Sequence, residues 1–401
     1  MGEIARLCLF YSLSKDRWKF ASLHFRIFAI LINMRSRILP LTLVMLLLAS
    51  ASPYLAQAAA SKGKVYTVSM KRAHLPSAPN NGTDDYRCFL LNPKVSEDSI
   101  IRSVQFIPQR KNYVHHAIIF RVTDADIAEA IADDKNGAGW PCFGGTGLGG
   151  MFTTFISSPW LSSWAPGRGK DISPPGYGTP FKKGEQFVLQ VHYNLLAAES
   201  GAIESDKSTI IMQTIPAKGA TVKQLHVELF PAPVELACPV GVTGALCDRK
   251  QSLIDLASRT SITSAFEPTG INALCGQDPF KPAASLTSQC DKVINSNFTV
   301  IAAAPHMHLL GRSLTLILNP GKANERRLLD VKNYNFDDQS ASVLKPPVKV
   351  RAGDTIRVIC SFDPTLRQKI SQLKNLAPRY ITWGEGSTDE MCLGVIAATP
   401  S

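Results

Sequence analysis

QFVLQVHYNLL, Gln186–Leu196, is a run rich in Val, Leu, Phe and Tyr that begins two residues after the glycine at position 184. A short run rich in β-branched and aromatic residues and bounded by turn residues reads as a strand. The same signature recurs along the chain in VYTVSM (65–70), YRCFLL (86–91), VHHAIIFRV (114–122), STIIMQTI (208–215), FTVIAAAPHMHL (298–309), SLTLIL (313–318) and DTIRVICSFD (354–363). Helical periodicity is confined to Asp124–Asp133 and Lys250–Arg259. Many short strands with few helices predict an all-β fold of antiparallel β-sandwiches, jelly-roll-like in character. The stretch Trp140–Gly184 is dense in Gly, Pro and Trp and reads as a long excursion, a common place for a binding surface. Pro216–Gly219 reads as a joint, which divides the chain into domains at 65–216 and 220–398.

The chain has 401 residues and is 45% apolar, enough to bury two ordinary cores. Its formal charge of +11 is partly an N-terminal effect, because residues 61–401 hold 36 Lys/Arg against 30 Asp/Glu. That mild excess, with no basic stripe, does not describe a nucleic-acid surface. No repeat, phosphate-cradling glycine loop or GxSxG elbow is present, which argues against nucleotide enzymes and esterases.

From Met34 the order is MRSR, an apolar run from Ile38 to Ala51, then LAQAAAS. This is the pattern of a secretory signal peptide over 34–60, and the apolar run is too short for a membrane span. Residues 1–33 read as a spurious upstream extension. The expected mature protein is secreted or periplasmic, with no stable membrane insertion. Eight cysteines remain after residue 60, and an even number in an exported chain implies disulfides.

The remaining histidines gather in three motifs, Tyr113-Val114-His115-His116, Gln190-Val191-His192-Tyr193 and Pro305-His306-Met307-His308, while His24, His74 and His226 stand alone. On a strand, alternate side chains share a face, so His306 and His308 can present two imidazoles to one ion. Neighbours such as His115 and His116 point to opposite faces, and they share an ion only at a bulge or strand end. His192 on its own would be an ordinary buried histidine, and its weight comes from the others. Met391, close to Cys392, is core filler by default, but a thioether added to imidazoles favours Cu(I).

In their joint order, VHHAIIF, LQVHY, HMHLLGR, AGDTIRVICSF and DEMC give the sequence a resemblance to the copper type II, ascorbate-dependent monooxygenases, the peptidylglycine- and dopamine-hydroxylating family. The resemblance spans about Tyr86 to Ile396. It implies two β-sandwich domains facing a cleft and two mononuclear copper sites. His115, His116 and His192 would form the electron-relaying site, and His306, His308 and Met391 the catalytic one, with O2, a small organic substrate and ascorbate as partners. It also implies the disulfides Cys88–Cys142 and Cys360–Cys392, and leaves Cys238, Cys247, Cys275 and Cys290 unassigned. Where peptide-amidating members carry an Arg and a Tyr that hold the substrate carboxylate, this chain has Ala304 and Val395, so C-terminal glycine peptides are not the expected substrate. Two other readings use the same residues: a secreted copper carrier without turnover, and a zinc hydrolase built on His306 and His308.

Overall fold

In a computed structural model of the chain, described here for residues 63–80, 82–149, 159–198 and 202–401, the strands assemble into several antiparallel sheets. The predicted signal peptide and the extension before it lie outside the described residues. Among the described residues no helix is long and apolar enough to cross a membrane.

The first half contributes β1 (Lys64–Ser69), β2 (Asp84–Leu91), β3 (Ser99–Ile107), β4 (Val114–Arg121), β5 (Trp160–Trp164), β6 (Tyr177–Phe181), β7 (Phe187–Asn194) and β8 (Thr209–Pro216). One sheet has the order β1-β8-β3-β6, and a second places β7 between β2 and β4, with β5 on the far side of β4. The second half contributes β9 (His226–Pro231), β10 (Thr287–Val293), β11 (Phe298–His306), β12 (Gly311–Leu318), β13 (Arg326–Val331), β14 (Ser342–Val350), β15 (Thr355–Phe362) and β16 (Leu393–Pro400). They form two four-stranded sheets, β9-β16-β11-β14 and β10-β15-β12-β13.

The predicted helices are present as α1 (Ile127–Asp133) and α2 (Arg249–Arg259), and a further helix, α3 (Ile262–Leu274), follows directly. Ser261 caps α3 by accepting from Ser264 N, and Pro268 sits inside the helix, an unusual helix residue that hides the element in the sequence. The Trp140–Gly184 excursion is not structureless, since it carries β5, β6 and two further short strand segments. Its glycines and prolines punctuate strands too short to register as periodic runs.

The sheet holding β7 explains why QFVLQVHYNLL lacks polar alternation. Phe89, Leu91, Ala117, Ile119, Leu189 and Val191 join one core cluster with Val104, Phe106, Ile210 and Met212 of the neighbouring sheet. Their strand neighbours Cys88, Leu90, Ile118, Phe120 and Val188 turn the other way, into a second cluster that contains Leu229, Val300, Leu314, Met391 and Ile396 of the second half. Every residue of β7 is buried. A strand covered on both faces is selected for apolar side chains at successive positions.

Four disulfides brace these layers: Cys88–Cys142, Cys238–Cys247, Cys275–Cys290 and Cys360–Cys392. The four cysteines without an expected partner therefore pair in chain order.

Candidate metal centre

Register builds the first group of histidines. His116 on β4 faces His192 on β7, and His192 faces Tyr86 on β2, so three rings form one row across the sheet. Tyr86 stacks on His192 with centroids 4.2 Å apart, a cross-strand aromatic pair. The pairing of β4 with β7 shifts between Val114 and His116, which makes His115 the extra residue of a β-bulge. The bulge removes the opposition of faces that regular geometry would impose on adjacent residues. His116 Nδ1 consequently lies 3.3 Å from His115 Nδ1 and 3.2 Å from His192 Nδ1. One nitrogen from each of the three buried rings falls within 4.8 Å of the others, a spacing that can hold a metal ion.

The outer nitrogen of His192 is bound by Asp84, with Nε2 to Oδ1 at 2.7 Å. Burial alone would raise the Asp84 pKa, but its contacts with His192, Thr83 and Ser387 hold it well below the usual carboxylate range. A carboxylate behind an imidazole fixes which ring nitrogen faces inward and makes it a better ligand.

The second group stands at the end of β11. His306 is the last residue of that strand and His308 lies just beyond it, with ring centroids 5.4 Å apart. Met307 between them is fully buried and exchanges hydrogen bonds with the Tyr334 hydroxyl, which accepts from Met307 N at 3.0 Å and donates to Met307 O at 2.6 Å. Gly311 allows this packing, because a Cβ there would come within 2.8 Å of Met307 Cβ. His306 Nδ1 meets Gln339 Oε1 at 2.6 Å and His308 Nδ1 meets the Asp389 carbonyl at 3.2 Å, which leaves Nε2 of each ring for another partner. His308 Nε2 is buried with no hydrogen-bond partner. A buried orphan of this kind calls for a ligand. Met391 is buried and lines the same small cavity as His306 and His116. Glu390 accepts from the backbone N–H groups of His308, Leu310 and Met391, and so binds the histidine turn to the Met391 turn. Burial pushes the Glu390 carboxyl up to about 8.

The two groups are adjacent. His116 and His306 have centroids 5.5 Å apart, and Phe336 stacks on His115 at 3.9 Å while meeting His308 edge-on at 6.1 Å. The sets expected to face each other across a cleft are thus side by side, under one loop that supplies Tyr334, Phe336 and Gln339. Burial lowers the pKa of all four rings concerned, His115 and His116 well below the usual value, His306 to about 4 and His308 to about 3. The imidazoles are neutral at physiological pH, the state that donates a lone pair to a metal.

His74 and His226 are elsewhere, His74 bonded to Asp85 at 2.7 Å and His226 beside Glu228 at 3.5 Å. Sequence reading missed Asp84, Gln339, Tyr86 and Phe336. Their positions depend on register and on one loop, and their only local signal is that Asp84 and Tyr86 open the strand that also carries Cys88.

Residues 274–397 match the family model described as copper type II ascorbate-dependent monooxygenase, C-terminal domain. This part of the chain is similar to the C-terminal domain of that family. The matched monooxygenase domain contains His306, His308 and Met391, whereas His115, His116 and His192 lie upstream of it. No curated protein of known function matches the chain. Among solved structures it is similar to the major capsid protein P2 of bacteriophage PM2, at 7% identity and TM-score 0.30, over 84% of this chain and 97% of that one. It is also similar to PNGase F, a glycosylasparaginase from Flavobacterium meningosepticum, at 6% identity and TM-score 0.30, over 84% and 96%. Similarity at that level carries no functional argument.

Proposed function

We propose that the protein is an exported copper monooxygenase that hydroxylates an activated C–H bond of a small organic substrate, using O2 and a one-electron donor such as ascorbate. The observation that best supports this is the convergence of five imidazoles and Met391 at one place. His115, His116 and His192 would hold one copper through their inward nitrogens. His306, His308 and Met391 would hold the other, and a thioether beside two imidazoles suits Cu(I). Bound copper would supply one-electron transfer and O2 chemistry, in which the C–H bond gives up two electrons and the donor two more, one at a time.

The residues of the chain set the conditions. Asp84, Gln339 and the Asp389 carbonyl orient the rings of His192, His306 and His308. The covering loop places Phe336 against His115. The short distance between His116 and His306 favours electron passage from the three-histidine group to the other. Four disulfides support export to an oxidising compartment. The division into domains at 65–216 and 220–398 belongs to the same proposal.

Copper content of the wild type and of Met391→Ala, with ascorbate-driven O2 uptake, tests this reading. Two coppers in the wild type, one in the variant, and substrate-accelerated O2 uptake are expected. Two coppers with no substrate able to accelerate O2 consumption would leave a copper carrier, and zinc in place of copper would reject both.

A further inference from the structure

A groove runs from the surface to the second group of histidines. Its outer part, a cavity of about 160 Å³, is lined by Ile101, Leu161, Val343 and Ala397 among others. Its inner part, about 50 Å³, reaches His306 and Met391. Trp160, Arg168, Ala304 and Val395 line both parts, so the two adjoin. Ala304 and Val395 face each other across β11 and β16 and make that wall flat and apolar.

The opposite wall comes from the first half of the chain. Trp164 Nε1 donates to the Arg168 carbonyl at 2.9 Å, which closes a turn after β5, and Arg168 Nη1 donates to Ser163 Oγ at 3.0 Å, on the lining of both parts. Among the described residues no carboxylate comes within ion-pair distance of Arg168. Asp171 in the outer groove takes a hydrogen bond from Ser162 instead, and Glu385 in the inner part is buried. The Arg168 guanidinium, with no carboxylate at ion-pair distance, has its remaining donors free for an acceptor brought by a ligand.

We propose that Arg168 is a substrate-binding residue and that the groove takes a compact organic acid, an apolar body bearing one carboxylate. The reading rests on the monooxygenase function proposed above and deepens it. The apolar body lies between Trp160 and the Ala304/Val395 wall, the carboxylate meets the Arg168 fork, and the C–H bond to be oxidised points toward His306 and Met391. The cation absent from position 304 is thus supplied from the other side of the groove. An extended peptide with its backbone amides would leave polar groups unpaired against the apolar wall.

Binding and turnover of 3-phenylpropionate, 3-phenylpropionamide and 3-phenylpropylamine test the proposal. Binding is read on the copper-free protein by calorimetry and tryptophan fluorescence, which is sensitive to Trp160 and Trp164. The acid is expected to bind about 10- to 100-fold more tightly than the amide and the amine. Arg168→Met should erase that preference, and Arg168→Lys, which keeps the charge but loses the fork, should restore part of it. Equal binding of acid and amide, preference for the amine, or a preference that survives in Arg168→Met would overturn the proposal. If the preference depends on Arg168 yet the copper-loaded protein oxidises none of the three with ascorbate, the binding site stands and the monooxygenase reading fails.

Discussion

Asp84 joins His192 to the turn that leads to Met391: its Oδ1 lies 2.7 Å from His192 Nε2 and accepts from Ser387 N at 3.0 Å. One oxygen therefore orients a ring on β7 and anchors a segment more than three hundred residues away. In Asp84→Asn the shape is kept and the charge is lost. Copper affinity of the three-histidine group is expected to fall about 10- to 100-fold, measured by competition against a Cu(I) chelator. An unchanged affinity would show that Asp84 serves the Ser387 turn alone.

Arg259 at the end of α2 makes a buried ion pair with Asp389, Nη2 to Oδ1 at 2.8 Å, and also holds Asp255 at 2.7 Å. The Asp389 carbonyl in turn contacts His308. Arg259→Leu leaves Asp389 as a buried, unpaired carboxylate, a class of change that costs about 3–5 kcal/mol. A lowered denaturation midpoint is expected, together with weaker copper binding at the His306/His308 group. A midpoint equal to wild type would mean that Asp389 finds another partner.

The Cys275–Cys290 bridge closes a loop of 15 residues between the end of α3 and β10. Loop-closure entropy for that length is worth about 3 kcal/mol. The double variant Cys275→Ser/Cys290→Ser should lose stability of that order in denaturant unfolding while keeping its copper content, since neither cysteine touches the histidines. Loss of copper would assign the bridge a role in holding the centre.

Glu385 is buried against Glu267, and burial, with Asp389 nearby, pushes its carboxyl up to about 8. A carboxyl whose folded pKa exceeds its unfolded value binds its proton more tightly when folded. Its contribution to stability is complete below the ordinary Glu value of 4.5 and is lost as pH rises toward about 8. Glu385→Gln, neutral throughout, should gain thermal stability relative to wild type between about pH 5 and pH 8. A difference in midpoint that is independent of pH would rule out the raised carboxyl.

The strands were legible because apolar runs and turn residues are local properties, whereas the strand alternation read for His306 and His308 stops at His306, and His308 stands in the turn beyond it. Neither shows which strands are neighbours. The bulge at His115, which lets adjacent histidines converge, exists only relative to β7. Gln339 and Phe336 come from a loop with no periodic signal, and Arg168 from a segment whose glycines and prolines concealed its short strands. α3 was missed because Pro268 breaks the apolar spacing that would have announced it.

The two-sided burial of β7 has a consequence for how the chain can be divided. A fragment ending near residue 219 would turn Leu90, Ile118, Phe120 and Val188 into an exposed oily surface, and the complementary fragment would be left with the bare face that covers them. Such surfaces drive aggregation. The halves are therefore expected to melt in one transition and to resist separate expression, so that each histidine group keeps its geometry only while the other half of the chain is folded.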